Sequence, residues 1–165
     1  MTERWVLNAS PIISLARVDG ADLLVNIPDE CVVPQPVFDE VMAGPESDPA
    51  RIFLQGHQSR VVVVPQPTPE ILGWDLGDSE TAVLSFALAN PGFIAILDDF
   101  AARKCASSFS IPVKRMLAVV IIAKQRGLVR SASEVLRSLQ SAGFHLDDRV
   151  IAKALFEMVG EVWGK

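Results

Sequence analysis

The sequence predicts a parallel α/β fold, a central sheet covered by helices on both faces. Three observations point to it. Short apolar runs alternate with amphipathic stretches, so a strand–helix unit recurs four or five times. Four consecutive valines, Val61 to Val64, suit a strand buried on both faces. Half of the 165 residues are hydrophobic and 21% are charged, a composition that builds a real core and is too apolar for a disordered chain.

Trp5-Val6-Leu7 predicts the first strand, ending at Asn8. Ser10-Pro11 then marks a helix start, because a serine hydroxyl accepts from an unpaired N–H and proline suits the first helical position. That helix carries Ile12, Ile13 and Leu15 towards Leu23 and Leu24. Cys31-Val32-Val33 reads as the second strand, and Pro36 opens a helix from Val37 to Ala43 that Gly44 closes. A polar stretch rich in proline and acid leads to a weak helix around Arg51 to Gln55. Arg60 to Val64 is a strong strand, and Pro65, Pro67 and Pro69 make the next segment extended and irregular.

Asp78 to Ala89 predicts a helix with Ala82, Val83, Phe86 and Ala87 on one side, broken by Asn90-Pro91-Gly92. Phe93 to Leu97 is a buried strand ending on Asp98-Asp99, followed by a helix from Phe100 to Ser107. Ile111-Pro112-Val113 suits a short edge strand. Met116 to Arg126 is helical, very apolar and stopped by Gly127. Two further helices, Ser133 to Ser141 and Asp148 to Val159, meet at Gly143. No repeat or linker divides the chain, so residues 1–165 read as one domain with the last two helices, about 131–160, as an appendix.

Composition excludes several classes. Fifteen basic and twenty acidic residues give a net charge of −5, unlike a protein that coats nucleic acid through bulk positive charge. Cys31 and Cys105 lie far apart among apolar neighbours, which excludes a disulfide scaffold. The start Met-Thr-Glu-Arg-Trp lacks the apolar stretch of a secretory signal. The longest apolar run, Met116 to Ala123, is less than half of a membrane span. A cytoplasmic location without membrane contact is therefore expected.

Ligands of open parallel sheets bind at the carboxyl ends of the strands. Asn8 follows the first strand there, and Asp39 and Glu40 lie in the helix after the second. Asp78 and Glu80 open the helix before the strand that ends on Asp98 and Asp99. Carboxylates brought together repel unless a cation sits among them, and an all-oxygen set favours Mg²⁺ or Mn²⁺ over zinc. Such a metal activates water and steadies a phosphodiester oxyanion. The competing account is structural: Asp78 and Glu80 suit the dipole of a helix's first turn, and two charges ending a buried strand need solvent or a partner.

Seven of the fifteen basic residues fall between Asp99 and Glu134, where no acid occurs, leaving the rest of the chain at −12. Arg103, Lys104, Lys114 and Arg115 are phosphate-contact candidates, against the alternative that these are solvated helix faces. Lys124 and Arg126, just before Gly127, suit a helix C-terminus. His57 and His145 are isolated, and no Cys-x-x-Cys, P-loop or Gly-x-Gly-x-x-Gly occurs. Ser10 has no supporting histidine motif, so helix capping is preferred over a nucleophile's role.

Four motifs carry a family resemblance. Val6-Leu7-Asn8-Ala9-Ser10-Pro11-Ile12-Ile13 resembles the opening of PIN-domain proteins, and Val33-Pro34-Gln35-Pro36-Val37-Phe38-Asp39-Glu40-Val41 is similar to their second acidic motif. Gly77-Asp78-Ser79-Glu80-Thr81-Ala82 resembles their Gly-Glu-x-Glu-Ala helix start, and Leu97-Asp98-Asp99-Phe100-Ala101-Ala102-Arg103 their Asp-Asp-x-x-Ala-Arg motif. The combination is typical of a prokaryotic branch related to the VapC-type toxins. It implies a PIN-like three-layer α/β/α fold and an Mg²⁺- or Mn²⁺-dependent endoribonuclease, often the toxin partner of a small antitoxin. Pairing into a homodimer through helices is also expected.

By motif position, the resemblance makes Glu40, Asp78 or Glu80, and Asp98 or Asp99 the metal-binding and catalytic acids. Asn8 would orient a ligand or water, and Ser10 would support the site. The chain departs from the pattern twice: Asn8 stands where most PIN nucleases have aspartate, and Asp78 where glutamate is usual. The rival is a catalytically weak PIN-like module that binds protein or RNA. A phosphatase-like or receiver-like domain is disfavoured, because no carboxylate directly follows the first strand.

Overall fold

The computed structural model describes residues 2–164. In chain order its elements are β1 (Arg4–Leu7), α1 (Ala9–Ala16), α2 (Leu23–Asn26), β2 (Glu30–Pro34), α3 (Gln35–Met42), α4 (Pro49–Gln55), β3 (Val61–Val62) and α5 (Pro69–Leu72). There follow α6 (Asp78–Ala89), β4 (Phe93–Ile96), α7 (Phe100–Ser108), β5 (Val113–Lys114), α8 (Met116–Gln125), α9 (Ala132–Ser141) and α10 (Asp148–Val159). The strands form a single all-parallel sheet in the order β3-β2-β1-β4-β5, flanked by helices, as the alternation in the sequence predicts.

β1 is the central strand. Trp5, Val6 and Leu7 are all fully buried, the continuous apolar run of a strand covered on both faces. Each large side chain so buried contributes about 1.5–3 kcal/mol. From β1 the chain builds outward to β2 and β3 on one side, then returns to place β4 and β5 on the other. The switch point therefore lies between β1 and β4, and in open parallel sheets the crevice outside such a point is where ligands bind. Asn8 N–H donates to the Ile96 carbonyl at 3.3 Å and so continues the β1–β4 pairing to that crevice.

α6 is buried along nearly its whole length and packs on α3, β1 and β4. This fixes its first turn against the carboxyl edge of the sheet. α8 packs on α9 and α10, so the last two helices are tied to the layer that follows β5. Among the described residues no helix is long and apolar enough to cross a membrane.

Three local expectations are corrected. The valine strand is short: only Val61 and Val62 pair with β2, both half-buried, and Val63 is 87% exposed. β3 is an edge strand, and Pro65 and Pro67, which lack a donor, cannot extend the ladder. Ser10 does not cap α1; that helix starts at Ala9 with Asn8 at its N-cap, and the Asn8 side chain makes no capping bond. The proline-rich segment contains α5, capped by Thr68 Oγ1, which accepts from Ile71 N–H at 3.3 Å, with Pro69 at the first helical position.

Candidate functional site

A cleft of about 240 Å³ opens at the carboxyl end of β1, lined by Asn8, Ala9, Ser10, Ile13, Ser14, Arg17, Glu40 and Glu80. β1 delivers Asn8, α1 presents Ser10 and Ser14 a turn apart, and α3 and α6 deliver Glu40 and Glu80. Asn8 is 2% exposed, and its Oδ1 has no hydrogen-bond partner among the described residues. A buried amide oxygen left unpaired costs about 1–3 kcal/mol. It is therefore an acceptor ready for a cation or a donor.

Ser79 Oγ donates to Glu40 Oε1 at 2.9 Å, which orients that carboxylate and ties α6 to α3. Glu80 folds back over the start of its own helix: a Cβ at Gly77 would stand 2.7 Å from Glu80 Oε2, so glycine there leaves the space the carboxylate uses. Asp78 points elsewhere. It is exposed and lines a neighbouring cleft of about 890 Å³, together with Asp39, Glu40 and Asp75. Glu40 borders both clefts. Asp39 accepts from Gln35 Nε2 at 2.9 Å.

Asp98 and Asp99 do not line the Asn8 cleft. Both carboxylates serve helix N-termini. Asp98 accepts from Met116 N–H at 3.1 and 3.3 Å through its two oxygens, and pairs with Arg115 Nε at 3.4 Å. Burial raises the Asp98 carboxyl above its ordinary value, against the lowering effect of the Met116 N–H and Arg115. Asp99 caps α7 by accepting from Ala102 N–H at 2.9 Å. These are the partners that two charges ending a buried strand require.

The four phosphate-contact candidates are dispersed. Lys114 faces Glu3 at 3.8 Å, Arg115 is taken by Asp98, and Arg103 and Lys104 flank the Phe100 ring. Lys124 and Arg126 are likewise engaged, with Glu161 and Glu3. Sequence reasoning missed three residues of the site: Ser14 and Arg17, which line the cleft, and Ser79, which holds Glu40. Arg17 has no ion pair among the described residues. Its signal is the polar stripe Ser10, Ser14, Arg17 at helical spacing on an otherwise apolar segment. Ser79 is signalled only by its place between Asp78 and Glu80.

The cleft thus joins one carboxamide, two carboxylates and two hydroxyls with the Arg17 guanidinium. The groups able to ligate a metal are all oxygens, a set suited to Mg²⁺ or Mn²⁺, which are held by one or two carboxylates and keep several waters. Among the described residues no group of three or more His, Cys, Asp and Glu stands together as a metal site. The reason is visible: an amide occupies the position after β1, and Asp98 and Asp99 serve helix ends instead.

Fold and site together define a parallel α/β domain whose oxygen-lined cleft sits at the topological switch point. The chain belongs to the PIN-domain family: a family model described as PIN domain matches residues 4–160. A search of the curated proteins finds no match. The family's function is of the nuclease type, and its members generally use divalent metal ions.

Proposed function

We propose that this chain is a metal-dependent endoribonuclease of the PIN type, using Mg²⁺ or Mn²⁺ in the cleft bounded by Asn8, Glu40 and Glu80. The observation that carries the reading is the buried, unpartnered Asn8 Oδ1 in the same cleft as two carboxylates. When bound, the metal supplies a water of lowered pKa and a positive charge for the phosphodiester oxyanion. Glu40 and Glu80 hold it, Glu40 being oriented by Ser79. Asn8 contributes a neutral oxygen that repels neighbouring carboxylates less than aspartate does. Ser10 and Ser14 donate to waters or phosphate oxygens, and Arg17 places a positive charge beside the scissile phosphate. Asp78, Asp98 and Asp99 lie outside this cleft, so in this reading they are not the metal-holding acids.

The resemblance to VapC-type toxins extends the reading to the toxin of a toxin–antitoxin pair, with a small antitoxin and a second copy of the chain as protein partners. Phe156, Met158 and Val162 are exposed apolar side chains at the C-terminal end that such pairing could cover. A second reading, a catalytically weak PIN-like module that binds RNA or protein, is favoured by Asn8 and by the capping bonds that occupy Asp98 and Asp99. Incubation of a single-stranded RNA with the protein and Mn²⁺, with and without EDTA, separates the two. The nuclease reading predicts internal cleavage that EDTA and Glu80→Gln both abolish. Binding without metal-dependent cleavage would establish the module.

A further inference from the structure

Phe100 opens α7 with 66% of its surface exposed, although nothing about a helix's first turn calls for an aromatic there. Its ring is flanked by two cations of the same helix: Arg103 Cζ lies 5.6 Å and Lys104 Nζ 5.5 Å from the ring centroid. Arg103 is itself anchored, its Nε donating to the Asp98 carbonyl at 3.1 Å. Phe100 opens the helix that follows β4, the strand paired with β1, whose end delivers Asn8 to the candidate cleft. Asn8 is bonded to Ile96 at the end of β4, and Phe100 follows Ile96 by four residues, at most about 14 Å of chain.

An exposed aromatic ring with two cations over it, one of them anchored, has the make-up of a single-strand binding platform. Any base can stack on the ring, while the cations meet the backbone phosphates on either side. A duplex offers no unstacked base to such a ring, so the platform selects single strands. Resting on the ribonuclease reading, we propose that Phe100, with Arg103 and Lys104, stacks one unpaired base of single-stranded RNA at the same end of the sheet as the cleft. The charge fits a polyanion, because Arg103 and Lys104 make no ion pair among the described residues.

The test is fluorescence anisotropy with a labelled single-stranded oligoribonucleotide, in EDTA so that it is not cut, on the full chain. Phe100→Ala should weaken binding by about 5- to 100-fold, the range for loss of one base–aromatic stack. Phe100→Trp should preserve affinity, and its emission should be quenched when RNA binds. Phe100→Leu, apolar without a π-face, should behave like the alanine variant. Because the side chain is exposed, melting temperatures of all three should match wild type. Unchanged affinity in Phe100→Ala, or full rescue by leucine, overturns the platform while leaving the ribonuclease reading standing. A wild-type protein that binds no RNA in EDTA overturns the platform, while cleavage with Mn²⁺ decides the ribonuclease reading separately. A loss of self-association in Phe100→Ala, with RNA affinity intact, would make the ring a protein-docking surface and overturn the proposal.

Discussion

The Ser79 hydroxyl, buried in the first turn of α6, donates a 2.9 Å hydrogen bond to the Glu40 carboxylate on α3. Residues 39 positions apart are thereby fixed at one edge of the candidate cleft. Ser79→Ala leaves Glu40 free to turn towards solvent. The expected result is about a tenfold loss of Mn²⁺ affinity, typical of removing a group that orients a ligand, with a stability loss of about 1 kcal/mol. Calorimetric titration and thermal melting of the variant check both.

Asn8→Asp places a full charge where an amide oxygen now lies buried and unpaired. Divalent affinity should rise, since a carboxylate attracts the cation more strongly. The metal-free protein should melt lower, because a carboxylate would replace a buried amide whose oxygen has no hydrogen-bond partner. The two quantities must move in opposite senses. A substitution that changes stability slightly and metal affinity not at all would reduce Asn8 to the end of a strand.

Arg17→Ala should weaken single-stranded RNA binding and reduce the slope of log affinity against log salt by about 0.7, the loss of one phosphate contact. Lys114→Ala should leave that slope unchanged, since Lys114 faces Glu3 rather than the cleft. Affinity measured at several salt concentrations for the two variants distinguishes them. Equal slopes in both would remove Arg17 from the site.

Much of this was legible in the sequence, and the rest was not for definite reasons. The parallel sheet follows from apolar runs such as Trp5-Val6-Leu7 separated by amphipathic helices. Asn8, Ser10, Glu40 and Glu80 were placed together by motif, and all line one cleft. What a motif leaves open is which side chains are already occupied. Asp98 meets the N-terminus of a helix 18 residues on, a partner no local pattern reveals. The valine run suggested a buried strand, but edge position is set by the whole topology. A segment charge of +7 likewise says nothing of direction, and Glu3 draws Lys114 and Arg126 away from the cleft.

Asp98→Ala should destabilise the fold by about 1–3 kcal/mol, because the Met116 N–H loses its acceptor and Arg115 its ion partner. Asp98→Asn keeps an oxygen for that N–H and should cost much less. Asp99→Ala should cost about 1 kcal/mol as a lost N-cap. Denaturant unfolding of the three variants gives the ranking. Equal losses for Asp98→Ala and Asp98→Asn would show that the charge, not the acceptor, matters.

Glu161 reaches back from beyond α10 to the start of α9, accepting from Ala132 N–H at 3.0 Å and Ser133 N–H at 2.9 Å. Burial acts to raise its carboxyl, but these N–H groups and the Ser133 and Ser131 hydroxyls outweigh that and hold it below its ordinary value. Its stabilisation is therefore present above the ordinary carboxylate value and is lost as pH falls through the lowered one. Glu161→Gln should cost about 1 kcal/mol at neutral pH, and the difference from wild type should shrink as pH drops below about 4. Parallel melts across that range check the sign. A gap that widens in acid would contradict the assignment.

The central claim, that Asn8, Glu40 and Glu80 form a divalent-metal site, is tested most directly by calorimetric titration of Mn²⁺ into the metal-free protein and its Glu80→Gln variant. The expected result is saturable binding of one ion at millimolar or lower concentration, abolished or weakened at least tenfold in the variant. No heat of binding at millimolar Mn²⁺, or the same affinity in wild type and Glu80→Gln, would contradict it.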